Sequence, residues 1–452
     1  MSDSKAKVND MTVGTPIKAI LLFAVPMLIG NVFQQFYNFV DTTVVGKFVG
    51  ADALAAVGTT GSMNALLICI AMGLSNGAGV IISQCFGAQR YDEMKKAVTA
   101  MMYVASVTGL VITAAGIFLA GPAMRLLGVP DSIIHLSVLY MRIVFGFSLT
   151  GIFYNAFAAI LRSVGDSRTP LYMLIISSVI NVVLDLLFVL KFGMGVAGVA
   201  YATVIAQGVS AALCAMYIIK HRYQLHLDAL PKLPPKYMVV KIFRIGMPSA
   251  FQSAMISLGG ISVQGLINSF GTDAMAAYTA SSKIDSVAIQ ILISIAASLS
   301  VYSGQNMGAG NIKRIRTGLR QTLMVMIPVC TAVAAVMLIF KRQILGIFLD
   351  ADSAQNAIEI GCMYLSVIGI GYIIAGIMQS YQNLLKGCGD VNVCVAAGLA
   401  ELGVRVGASY LFVIFWELQG VFIAIPVSWM CGCIIPVVRY LSGKWTKKSV
   451  IR

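Results

Sequence analysis

The chain has 452 residues, of which 58% are hydrophobic and only 11% charged, with a mean hydropathy of +0.87. Soluble domains carry roughly 25% charged residues, so this composition excludes a water-soluble fold. Continuous apolar runs longer than the ~20 residues that cross hydrocarbon as a helix exclude a β-barrel. A formal charge of +14 would suit a nucleic-acid partner, but the positive residues cluster between apolar runs, as in a polytopic membrane protein.

Apolar runs and the breakers between them predict twelve spans. The first six cover 16–45, 53–86, 94–120, 132–161, 169–190 and 195–219; the second six cover 239–268, 274–307, 315–340, 355–385, 391–415 and 419–441. Residues 1–18 are polar and carry no cleavage site, so 1–15 is expected to be a tail. The charged, proline-bearing stretch 220–237 is expected to link two lobes, 16–219 and 238–441, ahead of a basic tail, 442–452. With the N-terminus inside, 24 of the 32 Lys and Arg fall on the cytoplasmic side and 6 outside, with Lys283 and Arg405 within spans. That asymmetry places both termini in the cytoplasm and the chain in the cell (inner or plasma) membrane.

The two halves repeat. Gly50-Ala-Asp-Ala-Leu-Ala-Ala recurs as Gly271-Thr-Asp-Ala-Met-Ala-Ala, and Gly87-Ala88 recurs as Gly308-Ala309, both at a shift of 221. Pro26 meets Pro248 at 222, and Gly165-Asp166 meets Gly389-Asp390 at 224. Duplication of an even six-span unit gives parallel repeats. The fold class is therefore an all-α polytopic membrane protein, with twelve transmembrane helices in two pseudo-symmetric six-helix lobes. Each Gly-Asp pair reads as a turn in which Gly takes φ > 0 and Asp caps the next helix. With no GxxxxGK[S/T], HExxH or GxSxG, no nucleotide partner and no enzyme chemistry is indicated. The nine cysteines read as small buried hydrophobes, and the three histidines as solvated loop residues.

The first span carries a polar stripe, Asn31, Gln34, Tyr37, Asn38 and Asp41, at helical spacings of three and four. A carboxylate in hydrocarbon costs at least ~2.5–3.5 kcal/mol, which makes Asp41 a functional residue by default. The fifth span adds Ser177, Ser178, Asn181 and Asp185. At 1.5 Å per residue Asp185 lies roughly 25 Å along its span and Thr203 roughly 12 Å down the sixth, similar depths in the outer half. Asp41, Asn181, Asp185 and Thr203 are therefore expected to converge within the N-terminal lobe. Two carboxylates, an amide oxygen and a hydroxyl suit Na⁺ when both acids are ionised, or protons when burial and repulsion keep one neutral. Taken alone, Asn181 and Thr203 are explained by bonding between helices. Two acids in one lobe are not. Gln34, Tyr37, Asn38, Asn155 and Ser177 are the expected substrate-binding side chains.

The second half does not copy this cluster, since Arg405 and Ser409 stand where Asn181 and Asp185 would repeat. Glu401 and Arg405, spaced i, i+4, are expected to neutralise each other as a structural ion pair. Lys283 and Asp285, two apart, need not touch.

Taken together, Pro26, Tyr37-Asn38-x-x-Asp41, Gly87-Ala88-Gln89, Arg162-x-x-Gly165-Asp166 and Asn181-x-x-x-Asp185 with Thr203 resemble the multidrug and toxic compound extrusion (MATE) family, DinF-like branch. The resemblance covers about residues 14–442. It implies a V-shaped transporter that works by alternating access and exports cationic, often aromatic compounds as H⁺ or Na⁺ enters. It also assigns the coupling site to Asp41, Asn181, Asp185 and Thr203, a helix hinge to Pro26, and no cofactor beyond the transported ion. A NorM-like member would carry an acid in span seven, and this sequence has none. The expected partners are small organic cations and the bilayer, with no nucleic acid, and the expected state is a monomer. Two other classes are a lipid-linked oligosaccharide flippase, which would need more basic residues in its cavity, and a channel, which two dissimilar lobes disfavour.

Overall fold

The computed structural model describes residues 9–349 and 354–451, apart from the side chains of Ser62 and Leu66. Residues 1–8 of the expected N-terminal tail, with Lys5 and Lys7, and Arg452 lie outside the described residues. Among the described residues every regular element is helical: α1 (Pro16–Val44, prolonged by a π turn Val45–Val49), α2 (Ala51–Gly87), α3 (Tyr91–Leu126), α4 (Asp131–Gly146), α5 (Ser148–Ser163) and α6 (Arg168–Leu186, prolonged by a π turn Leu187–Lys191). There follow α7 (Gly195–Lys220), α8 (Lys236–Asn268), α9 (Thr272–Gly308), α10 (Ile312–Leu345), α11 (Gln355–Gly387) and α12 (Val391–Leu441), with a 3₁₀ turn at Lys444–Lys447.

Ten of these helices are each long and apolar enough to cross a membrane, and α4 with α5 makes an eleventh, bent span. The expected single span 132–161 is thus two helices meeting at 45°. Phe147 leaves helical geometry (φ −113°, ψ 21°), and Thr150 Oγ1 donates to its carbonyl at 2.8 Å. Thr113 of α3 braces the bend, 3.2 Å from Ser148 Oγ. Conversely, α12 joins two expected spans. Its 51 residues would measure ~75 Å as one rod, more than twice a hydrocarbon core. The helix breaks at Trp416 and Glu417, where φ of Glu417 is 47°, and split there the described residues hold twelve candidate spans.

The duplication is visible in backbone angles. Gly165 and Gly389 hold φ of 89° and 90° in matching turns, a region L side chains avoid. Asp166 caps α6, its Oδ1 accepting from the Arg168 and Thr169 N–H groups at 3.0 Å each. Its counterpart Asp390 instead accepts from Arg439 Nε at 2.6 Å.

Two compact units emerge, and the boundary between them falls inside helices. One comprises residues 9–10 and Ile29–Ala250; the other comprises Met11–Leu28 and the described part of Phe251–Arg452. They differ from lobes divided at 220–237 by two exchanged helix ends: the first half of α1 groups with the second unit, and the first half of α8 with the first. Small residues make the α8 attachment possible. Gly73 and Gly77 of α2 lie against Ala250 and Gly246 of α8, with no room for a Cβ at either α2 position. The first unit's apolar core includes Val44, Tyr140, Val144, Val189, Val199 and Val204. The second's is built around α9, α11 and α12, with Leu292, Tyr364, Leu365, Tyr372 and Phe422.

Candidate cation site

In the first unit, α6 turns Ser177, Asn181 and Asp185 inward from successive turns of one face, and Asn181 and Asp185 have no exposed surface. α7 packs against α6 and brings Thr203, also buried. The C-terminal half of α1 contributes Tyr37 and Asp41, both half-buried. Val44, Val189, Val199 and Val204 supply an apolar surround.

The polar groups form a chain. Oriented by its neighbours, the Asn181 amide donates to Asp185 Oδ2 at 3.1 Å and accepts from the Thr203 N–H at 3.2 Å. Thr203 Oγ1 donates to the Val199 carbonyl at 3.0 Å and lies beside the Tyr37 phenol. The Asp41 and Asp185 carboxyl groups lie within hydrogen-bonding reach of each other. Among the described residues no donor reaches Asp41 Oδ1 or Asp185 Oδ1, although both atoms are buried. Two ionised carboxylates cannot bond to each other, because each only accepts. Carboxyl groups so placed suit a proton shared between them or a cation.

The structure thus brings Asp41, Asn181, Asp185 and Thr203 together with Tyr37. It also adds Tyr140 of α4, a buried phenol close enough to interact electrostatically with both acids. Nothing in the sequence distinguished Tyr140 from the other tyrosines. Of the expected substrate-binding residues, Tyr37 joins this group and Ser177 lies on the same face of α6. Gln34 and Asn38 are exposed, and Asn38 Nδ2 reaches Gln35 Oε1 at 3.4 Å. Asn155 donates to the Gly151 carbonyl of its own helix at 2.9 Å. Ser177 is buried and donates to the Leu174 carbonyl at 3.0 Å. Pro26 is buried, and α1 runs through it.

The second unit holds a different arrangement. Arg405 Nη2 lies 2.6 Å from Glu401 Oε1, and Arg405 Nε donates to Ser428 Oγ at 3.2 Å. Lys283 is exposed, whereas Asp285 turns toward α11, accepting from Tyr372 Oη at 2.6 Å and Tyr364 Oη at 3.4 Å. Tyr364 and Tyr372, two turns apart on one face of α11, were the signal that could have marked this clamp.

Comparison with known proteins agrees with the fold. The MatE family profile matches residues 26–187 and again 248–411, once per half. The probable multidrug resistance protein YpnP of Bacillus subtilis (strain 168) is 29% identical over 442 residues, covering 97% of this chain and 98% of its own. YoeA of the same strain, also a probable multidrug resistance protein, is 28% identical over 445 residues, covering 96% and 95%. Among solved structures, an outward-facing multidrug resistance MATE family transporter of the MOP superfamily superposes with a TM-score of 0.91 at 24% identity, covering 98% of this chain and 100% of that one. With well over half its length matched by the family profile, the chain belongs to the MatE family, whose members are multi-pass membrane transporters and not enzymes.

Proposed function

We propose that this protein is a secondary active efflux antiporter: it exports organic, mostly cationic and aromatic compounds in exchange for H⁺ or Na⁺ moving inward, by alternating access. The observation that carries the reading is the Asp41/Asp185 pair, two carboxyl groups within hydrogen-bonding reach, each with a buried oxygen that no donor among the described residues reaches. A carboxyl–carboxyl hydrogen bond requires that the pair hold a proton, and such a pair titrates as one unit. That favours H⁺ as the coupling ion. Na⁺ is the second reading, with the oxygens of Asn181 and Thr203 completing a hard-ligand set beside the acids.

Coupling then follows from competition. An organic cation and the coupling ion each neutralise the same acids, so each favours its own conformation, and exchange is obligatory. Pro26, which removes a rung from the α1 hydrogen-bond ladder, is the bend point of the helix that carries Asp41. The relatives named as multidrug resistance proteins support the substrate class. In this reading the protein sits in the cell membrane as a monomer with both termini cytoplasmic, the expected lobes are its working halves, and no cofactor takes part.

The test is purified protein in liposomes, with pH and Na⁺ gradients imposed separately and a fluorescent organic cation as substrate. Uptake driven by the pH gradient and abolished in Asp41→Asn is expected. Transport indifferent to either gradient, or undiminished in Asp41→Asn, would overturn the proposal.

A further inference from the structure

The segment preceding α1 is gripped by the second unit more firmly than a chain end usually is. Met11 is fully buried in a core it shares with Ile20 and Phe23 of α1 and with Tyr302, Ile315 and Leu319. Its N–H donates to Gln305 Oε1 at 2.9 Å, and its carbonyl accepts from Asn306 Nδ2 at 3.1 Å. The Arg314 guanidinium also reaches that carbonyl, from Nε at 3.3 Å and Nη2 at 3.2 Å. It goes on to the carbonyls of Val13 at 2.6 Å and Gly14 at 2.8 Å. Ile17 N–H, one of the donors a helix start leaves without an intrahelical partner, is taken by Gln321 Oε1 at 3.1 Å. Arg314 is itself braced, with its guanidinium over the Tyr302 ring and its carbonyl accepting from Tyr302 Oη at 2.8 Å.

These contacts fasten one end of a particular helix. Beyond Leu28 the same helix groups with the first unit and carries Tyr37 and Asp41, and Pro26 lies between the two portions. A helix free at its start would meet a change at Asp41 by sliding or turning as a rod. Held at its start and weakened at Pro26, it can answer only by bending.

We propose that residues 11–17, with Gln305, Asn306, Arg314 and Gln321, form a clasp that holds the first half of α1 still. Arg314 is then a positioning residue for transport, converting occupancy at Asp41 into a bend at Pro26. This role rests on the antiport reading above. The experiment uses the full-length protein in lipid nanodiscs and liposomes, comparing wild type with Arg314→Gln, Asp41→Asn and the milder Gln321→Ala. Amide hydrogen exchange at Met11 and Ile17 reports the clasp, binding of a fluorescent cation reports the site, and gradient-driven uptake reports coupling.

In Arg314→Gln, exchange at Met11 should quicken at least about tenfold, the scale of lost charge-assisted hydrogen bonds. Substrate affinity should stay within about twofold while coupled uptake falls about tenfold or more. Should Arg314→Gln fail to fold, Gln321→Ala is read the same way at Ile17. Wild-type amides at Met11 and Ile17 that exchange freely would remove the clasp. A clasp opened by substitution with coupled uptake unchanged, in an assay where Asp41→Asn is inactive, would overturn its role alone. Full uptake by Asp41→Asn would instead overturn the antiport reading, and the clasp's role with it.

Discussion

Replacing Asp185 by Asn and by Leu separates the chemistry of the acid from its structural contribution. Asp185 is fully buried, and its Oδ2 accepts the Asn181 amide at 3.1 Å. Asn at 185 keeps a carbonyl oxygen for that donor and offers an NH₂ toward Asp41, so its cost should stay within about 1 kcal/mol. Leu strands the Asn181 amide in a dry site, which costs about 1–3 kcal/mol. Neither can bind a proton or balance a cation, so both should abolish gradient-driven uptake of a fluorescent cation into liposomes. Only Leu should lower the melting temperature of the purified protein measurably. Full uptake by Asp185→Asn, or equal melting temperatures for the two variants, would refute the assignment of Asp185 to both coupling and the Asn181 chain.

The Glu401–Arg405 pair is buried, so Glu401→Leu leaves a guanidinium without its counter-charge and should destabilise the protein by about 3–5 kcal/mol. Adding Arg405→Met should recover most of that, as read by thermal unfolding; additive losses would contradict the pairing. Gly77→Val forces a branched side chain into the α2–α8 crossing and should cost about 1–3 kcal/mol or more, seen as reduced monodisperse yield and melting temperature. At the α7–α8 linker, the Lys95 ammonium, 2.8 Å away, holds the Asp228 carboxyl below the usual carboxylate range. A depressed pKa stabilises above the ordinary carboxylate value and stops doing so as pH falls through the lowered one. A nitroxide at position 229 should therefore gain mobility as pH drops below about 4. Asp228→Asn should show that mobility already at neutral pH.

Much of this architecture could be read from the chain because membrane helices must be long and continuously apolar. Repeated turn residues such as Gly165-Asp166 and Gly389-Asp390 also betray the duplication. The Asn181/Asp185 spacing was equally legible, since one turn of helix fixes which side chains share a face. What periodicity does not encode is which neighbour a face meets. The α1 stripe is wider than the side that turns inward, so Tyr37 and Asp41 point in while Gln34 and Asn38 do not. Asp285 finds Tyr372 across 87 residues of sequence, and the spacing of Tyr364 and Tyr372 marks their shared face but not the acid it meets. The bend at Phe147 depends on Thr113 of another helix, and the continuity of α12 across 416–417 hides a break that composition alone had suggested.

The exchanged helix ends have a further consequence. α1 passes from one unit to the other after Leu28 and α8 after Ala250, in each case two residues beyond a proline, Pro26 or Pro248. Each half of the gene therefore encodes an incomplete body whose missing piece lies in the other half, the reciprocity of a domain-swapped dimer made continuous by fusion. Cutting the chain at 220–237 would yield two fragments, neither of which completes a unit without the other. Mixed together, they should reassemble only as a reciprocal pair.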